Sequence, residues 1–278
     1  MTDAVLYRFH KNLVVVRDRL RMLRRLNPGT PIYGLFGGDA RVAPIVRAAV
    51  GNLVDDLQTL PGGRAFWKWA EGDVAIAWWW RQAGERLPFD RLLALEWDQL
   101  ILVPLAELYA HVPEDTVALS GLSRLAEVGE RWSWLQIEGY REQLDELFRI
   151  VREEHGWEGE ALTCNLNGAV LPRRLVAEIG GLGLPRLTHD EVRLPLAAQL
   201  LGFPVVDNGL RQRDEAVRLY TADGGPDIAD DAITAELARP DGRRIFHPYR
   251  KPYAATPLET ALASAIARAR SAAAHARR

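Results

Sequence analysis

Two short acidic clusters and a late histidine are the side chains of this chain best suited to do chemistry. Glu96 and Asp98 stand at i and i+2, directly after the continuous apolar run Leu92–Leu95. Such a run reads as a strand buried on both faces. If the extended backbone persists to Asp98, both carboxylates point to one side of the sheet, roughly 6–7 Å apart. An acid pair at the end of a buried strand is suited to holding a divalent cation. Locally the same two residues also read as the start of a helix, with Asp98 as N-cap to 99–109. The second cluster is His189-Asp190-Glu191. Thr188 and Glu191 have capping-box spacing for a helix over 192–201.

The elements that must position these groups can be read from apolar periodicity. Residues 4–9 form a first strand, and 13–26 a helix with Leu13, Val16, Leu20, Leu23 and Leu26 at helical spacing. Asn27-Pro28-Gly29-Thr30 ends it, and 31–36 is a second strand. A strand–helix–strand unit predicts a parallel pair with a right-handed crossover. Ligands of open parallel sheets bind outside the carboxyl ends of the strands. His10-Lys11-Asn12 and Gly37-Gly38-Asp39 are polar clusters at two such ends. The glycines permit close backbone approach, and Asp39 can accept from ribose hydroxyls or a base N–H; an ordinary turn is the alternative.

Further along, helices are expected over 42–60, 66–83, 100–109 (interrupted near Pro104), 132–154, 172–179 and 192–201. Strands are expected over 91–98, 114–120, 160–166 and 243–247, with extended chain at 203–207, a turn at Asn167-Gly168 and a loop over 222–231. Trp78, Trp79 and Trp80 cannot all face one core; most of the tryptophans are expected to pack, with one free to line a cleft. The division that follows is one α/β domain over 1–255. An Ala/Arg-rich helix or tail occupies 256–278, a candidate for a weak contact with a membrane surface or a partner.

Composition narrows the classes. At 278 residues, 48% hydrophobic and 26% charged, the chain has the make-up of a globular enzyme. A net charge of −2 gives no argument for nucleic acid. No apolar run approaches the ~20 residues of a transmembrane helix. The single cysteine, Cys164, permits no internal disulfide and suggests a reducing compartment, so a cytoplasmic location is expected. There is no G-x-G-x-x-G after the first strand and no glycine–lysine phosphate loop, which argues against a dinucleotide fold and a P-loop NTPase.

The order of Phe9-His10-Lys11-Asn12, Gly37-Gly38-Asp39, Glu96-Trp97-Asp98, 167–174, His189-Asp190-Glu191 and Phe246-His247-Pro248 resembles the GT-A glycosyltransferases, family-2-like members in particular. The departures are Glu-x-Asp in place of Asp-x-Asp, Asp-Glu in place of Glu-Asp, and a long helical linker before the acidic strand. The resemblance implies a mostly parallel central sheet flanked by helices, and transfer of a sugar from a nucleotide-diphosphate donor to an acceptor (small molecule, glycan or lipid-linked). The same resemblance divides the domain into a nucleotide-binding half (1–120) and an acceptor half (121–255). It implies Mn²⁺ or Mg²⁺ on Asp98, with Glu96 and His247 as further ligands. Arg8, His10, Lys11, Asn12, Gly37, Gly38, Asp39, Glu96, Trp97 and Arg250 are then donor-binding candidates, with Arg8, Lys11 and Arg250 toward phosphate. Asp190 is the first candidate for general base and Glu191 the second. A nucleotidyltransferase would share the sheet and the acidic site but usually carries a glycine-rich basic loop after its first strand. A scaffold protein that keeps the fold without catalysis is the third reading.

Overall fold

The structure is a computed structural model that describes residues 1–62, 70–210, 219–220 and 225–254. Its centre is a seven-stranded sheet that accounts for both halves of the described chain. β1 (Asp3–Phe9) leads through α1 (Leu13–Leu26) to β2 (Ile32–Phe36), and α2 (Ala43–Val50) leads on to β3 (Asp56–Thr59). α3 (Gly72–Gln82) precedes β4 (Arg91–Glu96), which is followed by β5 (Leu100–Ile101) and the single-turn α4 (Leu105–Leu108). Then come β6 (Val117–Arg124), α5 (Leu125–Val128), α6 (Tyr140–His155), β7 (Leu162–Pro172) and α7 (Arg173–Glu178). α8 (Asp190–Leu200), β8 (Val205–Asp207), α9 (Asp230–Ala238) and β9 (Ile245–Phe246) complete the described elements.

The sheet order is β3-β2-β1-β4-β7-β6-β8. Only β7 runs against the others: it is antiparallel to β4 and β6, while every other pairing is parallel. This is an α/β fold with a mostly parallel sheet flanked by helices, as expected. One apolar cluster joins α1 and α2 to one face, through Val16, Leu20, Val46, Leu93 and Leu95. The other face is covered by α3, α7 and α8, through Ile76, Trp79, Leu175 and Leu194 against Leu92, Ala94 and Leu171. Because both faces are covered, β4 is apolar over Leu92–Leu95 without alternation, and all four residues are fully buried.

Several expected elements are corrected. The helix read over 42–60 is α2 followed by strand β3. Helical apolar spacing through Leu57 hides a four-residue edge strand whose only buried member is Leu57. The helix read over 100–109 is β5 and one turn, so Asp98 caps no helix of that length. β5 instead pairs antiparallel with β9, Leu100 opposite Phe246 and Ile101 opposite Ile245. The strand read over 160–166 continues to Pro172, and Asn167-Gly168 is an irregularity within it. Between Ala118↔Val170 and Ser120↔Asn165, β7 spends five residues where β6 spends two, and Gly168 takes φ +78°. The 132–154 helix begins only at Tyr140, after two short 3₁₀ turns, and α9 replaces part of the expected loop over 222–231. Trp67 and the whole 256–278 tail lie outside the described residues. Trp79 is buried against Tyr33 and Phe89, about 10 Å along α3 from Gly72, so it packs below the carboxyl edge.

A buried ion pair ties α3 to α8. Arg193 donates to both oxygens of Asp73 (2.9 and 2.7 Å) and to the carbonyls of Ala70, Leu187 and Thr188. The two side chains are 2% and 9% exposed, so removing one partner strands a charge in low dielectric. Asp73→Ala is expected to lower unfolding stability by about 3–5 kcal/mol. Urea denaturation checks this, and a loss under 1 kcal/mol overturns it.

Candidate functional site

Six strands running one way bring their carboxyl ends to one edge, and the acidic motif is there. β4 stops at Glu96 because the chain turns: Gln99 N donates to Glu96 O (3.2 Å), and Gln99 Oε1 accepts from Glu96 N (2.6 Å). Gln99 Nε2 in turn donates to the Tyr220 hydroxyl (2.6 Å), which donates to Asn167 O (2.9 Å). The turn thus faces Asp98 inward, where it is 6% exposed.

The β5–β9 pairing carries His247 onto this turn. Ligand atoms of Glu96, Asp98 and His247 all lie within 4.8 Å of one another. His247 Nε2 is 3.3 Å from Asp98 Oδ1, and Arg250 Nε donates to Asp98 Oδ2 at 3.3 Å. Tyr249 N donates to Asp98 O (2.8 Å), which fastens the segment after His247 to the same turn. Burial works to raise the Asp98 pKa, but His247 and Arg250 overcome it and hold the carboxyl below its usual value. Burial raises Glu96, Arg8 opposes that, and the Asp98 charge adds to the rise. The two carboxyls are therefore pushed apart in acidity, the signature of a charged pair sharing a dry site.

The residues present fit a divalent cation. Two carboxylates and an imidazole form a donor set of the right kind. Asp98 Oδ1 is buried without a well-formed hydrogen bond, so it has an unfilled acceptor aimed into the cluster.

Arg8, from β1, connects this cluster to the second. Its Nη2 donates to Glu96 Oε1. Gly72, at the start of α3, lies against it, since a Cβ there would collide with Leu166, Arg8 and Asp190. Asp190 Oδ2 accepts from Gly72 N (2.7 Å), and Oδ1 is 2.7 Å from His189 Nδ1. The expected capping box is not formed: His189 is the N-cap, its Nδ1 accepting from Glu191 N (3.2 Å) when the ring is neutral and turning donor to Asp190 when it is protonated, and Thr188 Oγ1 has no hydrogen-bond partner. Glu191 turns away from Asp190 and accepts from the indoles of Trp132 (2.9 Å) and Trp134 (2.7 Å). Trp134 stacks on His189 at 4.0 Å. Burial raises Glu191 above its usual value against the pull of His189. Burial opposes ionisation of both His189 and Asp190, but each stabilises the other's charge, raising His189 and lowering Asp190.

Beside Glu96 a small cleft, partly open to solvent, is lined by Arg8, His10, Leu35, Gly37, Ala75 and Trp97, with Phe9 and Leu60. Of the donor-binding candidates, Arg8, His10, Gly37, Glu96 and Trp97 meet here. Lys11 sits over the Trp97 ring, its Nζ 5.2 Å from the centroid. Asn12 donates to Arg250 O (3.2 Å), linking the loop after β1 to the segment after β9. Gly38 is pressed against the Phe36 ring. Asp39 is exposed and does not line the cleft; its hydrogen bonds to Arg41 hold its pKa down to about 2. Gln99, Tyr220, Gly72 and Arg193 belong to the site's frame but take no site role from the sequence, and Asn167 enters there only as a turn residue and the start of the 167–174 stretch. Only Asn167-Gly168 carries a local signal, and it reads as a turn.

No protein-family profile and no curated protein matches this sequence. Solved structures with a similar fold include the WbbM bifunctional glycosyltransferase, at 12% identity and TM-score 0.43 over 92% of this chain. The chain spans about half of that protein's length (46%). The galactosyltransferase LgtC, solved with donor and acceptor sugar analogues, aligns with 73% of each chain at 13% identity and TM-score 0.38. A cytidylyltransferase from Leptospira borgpetersenii serovar Hardjo-bovis aligns with 86% of this chain and 87% of its own, at 8% identity and TM-score 0.44.

The His189–Asp190 shifts define a pH window. A raised His189 pKa contributes stability that is fully present below the usual 6.5 and lost as pH rises through the raised value. A lowered Asp190 pKa contributes stability present above 3.8 and lost as pH falls through the lowered value. Thermal melts of wild type and His189→Asn should therefore differ most at about pH 5–6, with the gap closing at alkaline pH. A gap independent of pH would contradict the pairing.

Proposed function

We propose that this protein is a glycosyltransferase that moves a sugar from a nucleotide-diphosphate donor to an acceptor hydroxyl. The observation that carries this reading is the meeting of Glu96, Asp98 and His247 at the end of β4, beside a cleft at the carboxyl ends of β1 and β2. Asp98 is the principal ligand for Mn²⁺ or Mg²⁺, with Glu96 and His247 completing the protein's share. When bound, the cation offsets the charge of the departing diphosphate. The nucleotide half, 1–120, supplies the cleft, where His10, Gly37 and Trp97 flank the donor, and the polar run through Asn12, Gly38 and Asp39 extends that side. Arg8, Lys11 and Arg250 are the cations available to phosphate oxygens.

The acceptor half, 121–255, supplies the base. Asp190 is the first choice, because it faces Arg8 and the Glu96 cluster, whereas Glu191 is turned to two indoles. Asp190 is ionised throughout the neutral range, and takes the acceptor proton as the hydroxyl attacks. Its bonds to Gly72 N and His189 fix its position relative to Arg8. The acceptor itself is a small molecule, a glycan or a lipid-linked hydroxyl.

Calorimetry with UDP, GDP and their sugars, with and without Mn²⁺, tests the reading. Nucleotide-diphosphate binding that requires the cation is expected, and binding of none of them would sink it. Asp98→Ala should abolish cation-dependent nucleotide binding and turnover while its melting temperature stays within a few degrees of wild type. In Asp190→Asn, turnover should fall with donor affinity retained; loss of donor binding would remove Asp190 from the role of base.

A further inference from the structure

His247 is flanked by two buried oxygens without a well-formed hydrogen bond. On its Nε2 side is Asp98 Oδ1, and on its Nδ1 side is the side chain of Asn167, whose Oδ1 is the second. It is Asn167 Nδ2 that lies 3.2 Å from His247 Nδ1. With the amide in this orientation its nitrogen donates, and Nδ1 is then the accepting nitrogen of the ring. The ring proton is then on Nε2 and faces Asp98 Oδ1 at 3.3 Å. In that tautomer the Nε2 lone pair is absent, and His247 cannot bind a cation through the nitrogen that faces Glu96 and Asp98.

We propose that Asn167 is the positioning residue that selects the His247 tautomer, and that a half-turn of its amide switches His247 into a ligand. This rests on the cation site described above. After the half-turn, Asn167 Oδ1 accepts from Nδ1–H, and the Nε2 lone pair points at the cluster. No proton is gained or lost by the ring: the tautomer moves it from Nε2 to Nδ1. Asn167 Oδ1 then gains a donor from the imidazole, and Asp98 Oδ1 exchanges the Nε2–H it faces for the cation. Metal-bound histidines ordinarily donate their second ring N–H to a carbonyl or carboxylate, which fixes both tautomer and ring orientation.

The fold places Asn167 for this purpose. Continuing the Ala94↔Ala169 register by two residues sets Asn167 alongside Glu96. The extra residues of β7 and the positive φ of Gly168 lift this part of the strand out of regular pairing with β6. A side chain at Gly168 would collide with Leu210 and crowd the Tyr220 hydroxyl. That hydroxyl donates to Asn167 O (2.9 Å), so the backbone is held while the 5%-exposed side chain faces the imidazole.

The test uses the full chain in three forms: wild type, Asn167→Asp and Asn167→Leu. Long-range ¹H–¹⁵N spectra of the imidazoles, recorded without metal and assigned with His247→Gln, report the tautomer. The proton is expected on Nε2 in wild type and on Nδ1 in Asn167→Asp, whose carboxylate can only accept. Calorimetry with Mn²⁺ alone should give an affinity at least that of wild type for Asn167→Asp, and about 10–100-fold weaker for Asn167→Leu. The same tautomer in wild type and Asn167→Asp, or unchanged Mn²⁺ affinity in a folded Asn167→Leu, overturns the proposal. If wild type takes up no Mn²⁺, the cation reading fails, and the metal-free spectra still decide whether Asn167 sets the tautomer. The Asp variant matches Asn in shape, so those spectra remain readable if the leucine variant does not fold.

Discussion

The ion pair between Arg8 and Glu96 sits where the two acidic clusters meet, and the carboxyl edge of the sheet is organised around it. A carboxylate taken out of water costs several kcal/mol unless its charge is answered nearby. Glu96, Asp98 and Asp190 all lie on this edge, and their mutual repulsion contributes to the rise of Glu96. Arg8 answers Glu96 directly and lowers Asp190 from the other side of Gly72. No second conformation of β1 is needed for this. Tyr7 and Arg8 are the last residues of β1 paired to β4, so the guanidinium is delivered by the same register that aligns the strands.

That arrangement explains why the small residues around it are small. Gly72 has no room for a methyl group between Leu166, Arg8 and Asp190, and its N–H is needed by Asp190 Oδ2. Arg193 then holds the chain before Gly72 by the Ala70 carbonyl and the helix after it by Asp73. The Arg193 guanidinium is fully bonded, whereas Arg8 keeps a buried Nε without a hydrogen-bond partner. Fully bonded buried charge is rigid, whereas a donor left over is free to meet an incoming anion.

The sequence shows most plainly what depends on local periodicity. α1 runs over the same residues, 13–26, in both the periodicity and the structure, because its stripe is regular and Asn27 closes it by accepting nothing further from the helix and donating twice to Leu23 O. The acid pair is legible because β4 is apolar on both faces and then abruptly charged. β3 and β5 are not legible: four and two residues cannot establish a period, and pairing partners decide them. His247 is recognisable as a site residue only through a resemblance of order, since its partner Asp98 is far away in the chain. Asn167 is hidden more deeply. Asn-Gly is the strongest local sign of a turn, and here the same pair makes a bulge because β7 is held by strands on both sides. The chemistry of the position comes from a displaced register, which no local pattern records.

The cluster is completed by the end of the described chain. Glu96 and Asp98 are set by β4 and its turn, but the groups that pull Asp98 down, His247 and Arg250, arrive with β9. Their segment is held against α1 by a second buried pair: Arg19 donates to the carbonyls of Tyr249 and Lys251 (2.9 Å each), and Asp18 accepts from the N–H groups of Tyr253 (2.9 Å) and Ala254 (2.8 Å). Asp18 and Arg19 are themselves paired and almost fully buried, so each backbone bond they make also satisfies a desolvated charge. The strap cannot lift away without uncovering that pair. The imidazole beside Asp98 is therefore held from two directions, by α1 through the strap behind it and by Asn167 in front. With the ring so constrained, the degree of freedom left at Nε2 is the position of its proton.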